Sequence, residues 1–437
     1  MTEIKPKSPY RLAIDSIIRN FVTILSGRIF FGLVNLAAYA LATRAVSLDE
    51  MGIVMTLQAY VRLLGGVLSF QAWKAVLTYG QPLLEKKDDQ GFQRLIGLML
   101  RLEALAIMFA LGVAIVFLPL IGDLLGWSKE VRDLAPYYTL LLIVEAPTTS
   151  VGLVRIFDRV KVLRAQHGIN ACIRLVGSAA VYVFGGGVQE LVIAWGAALF
   201  FSCAWTIQKA IRIAIKRKLA PSFADKVSAA GRTYKGIWRF VVVTNLSSIL
   251  ENLLVHATIL VVGGVLGQAA AALFGLVRQV TDSLNKVGSI LGPIIFPEIA
   301  ALEARGQRSS LVKLLRRVFF ASLIFLTVVL SVLFLLGEHL LYVLYEIEEA
   351  EAYTLLLLSG ASAGFIAIGF SFEPTLLTAN RPVSALWTAV ASMTVFGIVL
   401  ALTIGPLGLV GVGLALLSRA VLITGLRGFL IYRMLRS

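Results

Sequence analysis

The sequence predicts an all-α integral membrane protein with twelve transmembrane helices in two six-helix bundles, related by a pseudo-twofold axis along the membrane normal. Three observations lead to this prediction. Of the 437 residues, 58% are hydrophobic and only 15% are charged, with a mean hydropathy of +0.86, whereas a soluble protein carries about 25% charged residues. The apolar residues form twelve runs, most of them near the ~20 residues that a helix needs to cross a bilayer. Polar positions inside these runs recur after a shift of 220 residues.

The twelve predicted spans are separated by short polar loops. They cover residues 20–46, 51–78, 95–118, 134–157, 169–184, 188–207, 237–262, 268–297, 314–336, 353–378, 384–404 and 409–432. The spans divide the chain into an N-terminal bundle (1–208), a basic linker on the inner surface (209–236) and a C-terminal bundle (237–437). Because each half holds an even number of spans, the two repeats are expected to run in the same direction across the membrane.

The distribution of basic residues predicts the orientation. With the N-terminus inside, the inner segments carry 29 of the 40 Lys and Arg residues, and the linker with its flanks carries nine of these. The outer segments contain only Arg44, Lys129 and Arg132, and the outer loop 337–352 contains five acidic residues and no basic one. Since cytoplasmic loops collect Lys and Arg, we expect both termini to be cytoplasmic.

Eight basic residues lie inside the predicted spans, against five acidic ones. The basic residues are Arg28, Arg62, Lys74, Arg101, Arg174, Arg278, Lys286 and Arg419. A charge at the centre of a span faces protein or water rather than lipid, so Arg28, Arg62 and Arg278 indicate a polar cavity that attracts an anion. Lys74, Arg101 and Arg174 lie nearer the inner surface, where their side chains are expected to snorkel.

The candidate substrate-binding residues follow from this cationic excess. They are Arg28, Arg62, Arg278, Lys286 and Lys74. Lys74 is the weakest candidate because it lies nearer the inner surface. Arg278, Asp282 and Lys286 are spaced i, i+4, i+8 and share one helix face. Two interpretations remain open for them: an internal ion ladder that holds the bundle together, or a cavity lining with one cation free for substrate.

The acidic residues in the spans are candidates for ion coupling. Glu251, with His256 on the same span, could bind a proton or a cation, as could Asp282. Glu145 and Glu373 are rival candidates because each lies beside a proline in a span of a different half. A proline removes a helical hydrogen bond and can hinge a helix. Interhelical hydrogen bonding is the competing interpretation for the polar face of the seventh span.

Several function classes are excluded by what the sequence lacks. The net charge of +15 is accounted for by the inner loops, and no compact basic domain indicates nucleic-acid binding. No nucleotide-binding loop occurs, and the three histidines show no metal-ligand spacing, so we expect no cofactor and no metal. Cys172 and Cys203 lie in apolar runs and predict no disulfide. The first 20 residues are polar and basic, unlike a cleavable signal peptide.

Two segments carry a resemblance to a known family. Asn20-Phe-Val-Thr-Ile-Leu-Ser-Gly27 and the following Ala42-Thr-Arg-Ala-Val-Ser-Leu-Asp-Glu-Met-Gly52 resemble the first span and turn of the Wzx-type O-antigen flippases. These form the polysaccharide-transport branch of the multidrug/oligosaccharidyl-lipid/polysaccharide (MOP) exporter superfamily. The resemblance implies two bundles in a V shape, alternating access, and ion-coupled movement of an undecaprenyl-diphosphate-linked oligosaccharide from the inner to the outer leaflet of the bacterial inner membrane.

The resemblance also implies partners. They are the lipid-linked oligosaccharide, membrane lipid, and the polymerase and chain-length proteins of lipopolysaccharide or exopolysaccharide synthesis.

Two alternatives are weighed against this function. A cation-coupled multidrug exporter of the same superfamily would need buried carboxylates for cationic drugs, and the excess of buried cations disfavours it. A membrane-embedded polysaccharide polymerase or glycosyltransferase would need a catalytic loop, and the acid-rich loop 337–352 is short, with His339 as its only histidine. We therefore expect a transporter rather than an enzyme.

Overall fold

The structure is a computed structural model that describes residues 30–68, 71–223, 233–234, 236–282, 299, 308–378 and 381–436. Within these residues the protein is helical and contains no β-strand. The helices are α1 (Phe30–Ala45), α2 (Leu48–Leu68), α3 (Ala72–Glu85), α4 (Asp89–Leu124), α5 (Lys129–Thr139), α6 (Leu142–Glu145), α7 (Thr149–Ile156), α8 (Val160–Phe184), α9 (Val188–Lys216), α10 (Ile237–Asn252), α11 (Thr258–Leu266), α12 (268–282), α13 (Arg308–Tyr345), α14 (Ala350–Gly369), α15 (Phe372–Thr378) and α16 (Pro382–Arg436).

The described residues contain seven helices that are long and apolar enough to cross a membrane, or eight if the bent segment α5–α7 counts as one span. The prediction of an all-α multi-pass membrane fold is confirmed. The number twelve stays a prediction. Two further apolar helices, Phe30–Ala45 and Leu253–Leu266, are shorter within the described residues. The predicted last two spans correspond to the segment Pro382–Arg436 (α16), in which two helices meet at a kink at Gly408 (φ 55°, ψ −134°).

Local sequence signals fix where several helices begin. Ser47 precedes α2, and its backbone N–H donates to the Glu50 carboxylate (2.8 Å) while the Glu50 N–H donates to Ser47 Oγ (3.3 Å). This reciprocal pair is a capping box. Asp88 accepts from the Gly91 N–H at the start of α4 (2.8 Å). Each cap satisfies backbone donors that have no partner within the first turn.

Helix α2 occupies the centre of the structure. All eleven residues from Met51 to Val61 are buried, so this helix is surrounded by protein rather than by lipid. Helices α4, α5, α6 and α9 of the N-terminal half pack against it, and so do α10, α11 and the π-helical turn Leu253–Ala257 between them. The burial is possible because this stretch is apolar except for Thr56 and Gln58, each of which has a hydrogen-bond partner.

Two of the predicted spans are built from broken helices, and each break lies beside a proline. In the fourth span the chain bends by 41° between Lys129–Thr139 and Leu142–Ile156, and Pro147 separates α6 from α7. In the tenth span, α14 ends at Gly369 and α15 begins two residues before Pro374. A proline has no N–H to donate to the preceding turn, which favours these interruptions of the helix.

The beginning of the linker is fixed to the first turns of α4. The Ser222 N–H donates to the Gln93 carbonyl (2.9 Å), and the Gln93 amide donates to the Lys218 carbonyl (2.8 Å). A Cβ on Gly97 would lie 1.9 Å from the Ser222 carbonyl oxygen, so this close approach needs glycine. After the linker, Ile237 at the start of α10 is buried against the N-terminal half of the chain.

Candidate functional site

Helices α2 and α12 bring the two halves of the chain together. The Ala269 N–H donates to Asp49 Oδ1 (3.1 Å) across a separation of 220 residues, the same shift that aligns the polar positions of the predicted repeats. A Cβ on Gly275 would lie 2.1 Å from Met55 Sδ, and these two residues are also 220 apart. Residues related by a twofold axis touch only near that axis, so the predicted axis would pass beside α2 and α12.

A cavity of about 90 Å³ lies between α2, α12 and the segment that joins α10 to α11. Its polar lining comes from both halves of the chain. The polar lining residues are Tyr39, Gln58, Arg62, His256, Arg278, Gln279 and Asp282. The predicted residues Arg62, Arg278, Asp282 and His256 therefore come together, although they lie far apart in the sequence.

Each of the two cavity arginines faces a carboxylate. Arg62 Nε lies 3.7 Å from Glu145 Oε1, and Arg278 Nε lies 3.3 Å from Asp282 Oδ2. The side chains of Arg62 and Arg278 keep 37% and 20% of their surfaces accessible. Both pairs are longer than the ~2.7–2.9 Å of a strong charge-assisted hydrogen bond, so both arginines retain donors that can turn towards a ligand.

Arg174 on α8 is buried, with 3% of its surface exposed, and the prediction that it snorkels to the inner surface is wrong. Its guanidinium donates to Gln58 Oε1 (3.1 Å) and to the Tyr39 hydroxyl (3.4 Å). It also lies over the Trp195 ring at 4.6 Å, in the geometry of a cation–π contact. Because Gln58 and Tyr39 line the cavity, Arg174 is a cation directly behind the lining. Among the described residues it forms no ion pair.

The spacing of the buried residues along α8 indicates that Arg174 faces the protein interior. Its depth within the predicted span does not indicate this. The buried positions Ala171, Arg174, Ser178 and Val181 are spaced i, i+3, i+7 and i+10, which places them on one helix face. The two neighbours of Arg174 on that face are small, so the face packs closely against other helices. A cation on such a face enters the protein interior rather than the bilayer surface.

Several buried polar atoms around the cavity have no hydrogen-bond partner in the described part of the chain. They are Gln58 Nε2, Glu145 Oε2 and His256 Nδ1. Buried polar groups in proteins are nearly always paired with protein or with water. These three atoms therefore indicate a place where water or a polar ligand binds. The set contains a donor, an acceptor and a histidine nitrogen, so a ligand at this place would need both accepting and donating groups.

The other predicted site residues lie elsewhere or outside the described residues. Lys74 is on α3 beside the Trp73 ring (5.6 Å) and does not line the cavity. Glu373 pairs with Arg427 Nη1 (2.8 Å) within the C-terminal half. Arg28 and Lys286 lie outside the described residues, as does the side chain of Glu251. In the part of the chain that the structure describes, no group of three or more His, Cys, Asp or Glu could hold a metal ion.

Glu103 on α4 is a functional carboxylate that sequence reasoning did not single out. It is buried (3% exposed) and accepts from the Thr149 N–H (2.8 Å) and from Thr148 Oγ1 (2.9 Å). It therefore caps the first turn of α7 from a neighbouring helix. Since α7 follows the break at Pro147, Glu103 holds the segment that carries Glu145.

The fold of the described residues occurs in solved structures of membrane transport proteins. The structure of the lipid II flippase MurJ in its inward closed conformation superposes with a TM-score of 0.73 and 12% identity, covering 94% of this chain and 87% of MurJ. A multidrug resistance MATE family transporter of the MOP superfamily, in its inward-facing conformation, superposes with a TM-score of 0.63 and 16% identity, covering 95% of this chain and 97% of that one. These likenesses establish the fold.

Sequence comparison adds one relative. The inner membrane protein YghQ of Escherichia coli (strain K12) is 27% identical over 350 residues, which cover 79% of this chain and 96% of YghQ. No protein-family model matches the sequence. The two superposed structures are those of a flippase and of a transporter.

Proposed function

We propose that this protein is a flippase that moves a polyprenyl-diphosphate-linked oligosaccharide, an O-antigen or exopolysaccharide repeat unit, from the inner to the outer leaflet. The observation that carries the proposal is the cavity between the two halves, with Arg62 from one half and Arg278 from the other. A diphosphate is a double anion, and arginine binds phosphate oxygens with paired donors. Arg174 behind the lining adds a third positive charge, and only two carboxylates, Glu145 and Asp282, face the three arginines.

Alternating access is the proposed mechanism. The halves 1–208 and 237–437, joined by the linker 209–236, rock about the α2–α12 contact and expose the cavity to one side at a time. Contacts between residues 220 apart support such a twofold arrangement. The excess of basic residues in alternate loops supports cytoplasmic termini, and the inner-membrane relative YghQ supports the same membrane for this chain.

Ion coupling is proposed to act through the carboxylates that face the arginines. Glu145 and Asp282 each hold a cavity cation in this structure. A proton or Na⁺ that binds such a carboxylate releases its arginine for the diphosphate, and substrate release restores the pair. The unpartnered His256 Nδ1 lies in the same cavity and provides a second position for a proton.

The test is a neutral variant of both cavity arginines, Arg62→Gln with Arg278→Gln, in cells that lack the native gene. We expect loss of surface polysaccharide and accumulation of the lipid-linked intermediate, with the variant present at the wild-type amount. Arg132→Gln is the matched control, because Arg132 is paired with Asp123 outside the cavity (2.6 Å). It should behave as wild type.

Two results would count against the flippase. Normal surface polysaccharide in the double variant would mean that the cavity cations do not bind the substrate. A change in drug susceptibility on gene deletion, with normal polysaccharide, would favour the multidrug exporter instead, a class that shares this fold.

A further inference from the structure

A buried carboxylate on α4, outside the cationic cavity, has one oxygen that its capping role does not use. Glu103 is 3% exposed, and its Oε1 accepts from the Thr149 N–H (2.8 Å) and from Thr148 Oγ1 (2.9 Å). Its Oε2 is buried without a hydrogen-bond partner in the described residues, and so is Thr149 Oγ1. Buried polar atoms are nearly always paired, so the cap of α7 accounts for only one oxygen of Glu103.

A small cavity of about 10 Å³ adjoins this carboxylate. Of the described residues that line it, only Glu103 has a polar side chain. The volume is close to the ~10–15 Å³ that one water molecule needs. Hard metal cations take about six oxygen ligands, whereas the side chains of this lining supply the oxygens of one carboxylate. The cavity therefore suits a proton rather than a metal ion.

No cation balances Glu103 in the described part of the chain. Helices α2, α3, α5, α6 and α7 pack against α4. Away from the turns next to the loops, the charged residues of these helices and of α4 itself are Arg62, Lys74, Glu145, Arg155 and Arg101. None of them forms an ion pair with Glu103, and Arg62 pairs with Glu145 instead (3.7 Å). Because an isolated carboxylate is costly to bury, the apolar surroundings favour the neutral acid, whereas the two hydrogen bonds favour the carboxylate.

The small cavity adjoins the helix contact that carries the Arg62–Glu145 pair. Gly65 on α2 lines it and follows Arg62 by three residues, and Ala146 lines it and follows Glu145 directly. A Cβ on Gly65 would lie 3.3 Å from a side-chain atom of α6, so α2 and α6 are in contact there. Glu103 thus lies beside the same helix contact from which Arg62 and Glu145 reach the cationic cavity.

We propose that Glu103 is a proton-binding site whose protonation releases Arg62 from Glu145. The inference rests on the proposed flippase function and adds to it a proton site outside the cationic cavity. A proton from solvent binds Oε2 and neutralises the carboxylate. Oε1 keeps both of its donors, but hydrogen bonds to a charged acceptor are about twice as strong as those to a neutral one. The cap of α7 therefore weakens, the broken segment that carries Glu145 relaxes, and Arg62 is free for an anionic ligand.

Infrared difference spectroscopy of the purified full-length protein, between acid and alkaline buffer, detects the proton. We expect a carboxylic acid C=O band at the high frequency of an acid in apolar surroundings, and its loss in Glu103→Gln. The amide keeps Oε1 as an acceptor, so this variant mimics the neutral form and retains a cap on α7. Glu130→Gln, on the exposed first turn of α5, is the matched control and should keep the band, as should Glu145→Gln. A band that survives in Glu103→Gln, or a wild type without one, overturns the proton site.

Inorganic diphosphate tests the connection to the cationic cavity. Coupling between two binding sites is reciprocal, so diphosphate should increase the Glu103 band at constant pH. In alkaline buffer, Glu103→Gln should bind diphosphate about fivefold or more tightly than the wild type, and Glu130→Gln should match the wild type. An unchanged band with equal affinities overturns the coupling. Failure of diphosphate to bind any of these proteins overturns the flippase, whereas loss of the infrared band in Glu103→Gln supports the proton site independently.

Discussion

At the scale of single residues, the surroundings of Arg174 bear most directly on the charge of the site. It is buried between Gln58, Tyr39 and Trp195 and has no carboxylate partner in the described residues. A buried charge without a counter-ion is costly to retain. Arg62 and Arg278, in contrast, are balanced by Glu145 and Asp282. Arg62, Arg174 and Arg278 outnumber the two carboxylates Glu145 and Asp282, so this part of the described structure keeps a net positive charge.

Arg174→Met should remove this charge while preserving much of the packing volume. We expect anion binding to weaken about tenfold or more, because three arginines face only two carboxylates and the loss of one removes the excess positive charge. Stability should change little, since the gain from removing a buried charge offsets the ~1–3 kcal/mol lost when Gln58 Oε1 loses its donor. The measurements are prenyl-diphosphate affinity and thermal unfolding. Arg174→Lys, which keeps the charge, should retain part of the affinity, and equal affinity in both variants would contradict this role.

At the scale of elements, the broken segment α5–α7 depends on a cap from another helix. The first turn of α7 follows Pro147, and Glu103 on α4 accepts its Thr149 N–H and the Thr148 hydroxyl. The break displaces α6, which ends at Glu145, into contact with Arg62. Without an acceptor at position 103, the backbone donors of α7 would be buried and unpaired, which is unfavourable in an apolar surrounding.

Glu103→Ala should therefore destabilise the folded protein by about 2 kcal/mol, the typical loss for hydrogen bonds to a charged group. Glu103→Gln keeps one acceptor oxygen and should lose less. The midpoint of thermal unfolding in detergent measures both. Glu130→Ala, on the exposed first turn of α5, controls for the loss of a carboxylate, and an equal effect at 103 and 130 would show that the cap does not stabilise the break.

At the scale of the whole molecule, one end of the seam between the halves is held by polar contacts. Arg44 at the end of α1 pairs with Glu346 after α13 (2.8 Å) and donates to the Val343 carbonyl (2.8 Å). Asp49 and Thr56 on α2 bond to Ala269 and to Gln268 at the start of α12. A Cβ on Gly52 would lie 1.9 Å from the Gln268 carbonyl oxygen, so the backbones touch. These contacts must separate before this end can open.

Arg44→Glu should shift the population towards states in which this end is open. The pair is partly exposed, so its contribution is at most ~1 kcal/mol, roughly a fivefold change in population. Distances between spin labels at Lys129 and Glu349, in a variant without Cys172 and Cys203, measure the shift. The swap Arg44→Glu with Glu346→Arg should restore the wild-type distance only in part, since the hydrogen bond to the Val343 carbonyl is not recovered. An Asp123–Arg132 swap within one half should have no effect, and an unchanged distance in Arg44→Glu would contradict this account.

The membrane class and most helices could be predicted from the sequence because hydropathy is a local property. A run of apolar residues such as 95–118 identifies α4 whatever the rest of the chain does. The capping box at Ser47 and Glu50 and the break beside Pro147 are local in the same way. The i, i+4, i+8 spacing placed Asp282 within reach of both Arg278 and Lys286, because neighbours on one helix face meet in any packing, and the structure pairs it with Arg278.

What the sequence determined by itself was that cations lie inside the spans and that they must face protein or water. Only the tertiary structure decided which partner each one has. Arg62 meets Glu145 because α6 is displaced by a helix break, Arg174 turns inward because the small residues beside it let α8 pack closely, and His256 joins the cavity because a helix of the other half packs against α2. Side-chain depth follows from position along one helix, whereas pairing depends on the rotation and crossing of helices that are distant in sequence, and only their packing fixes these.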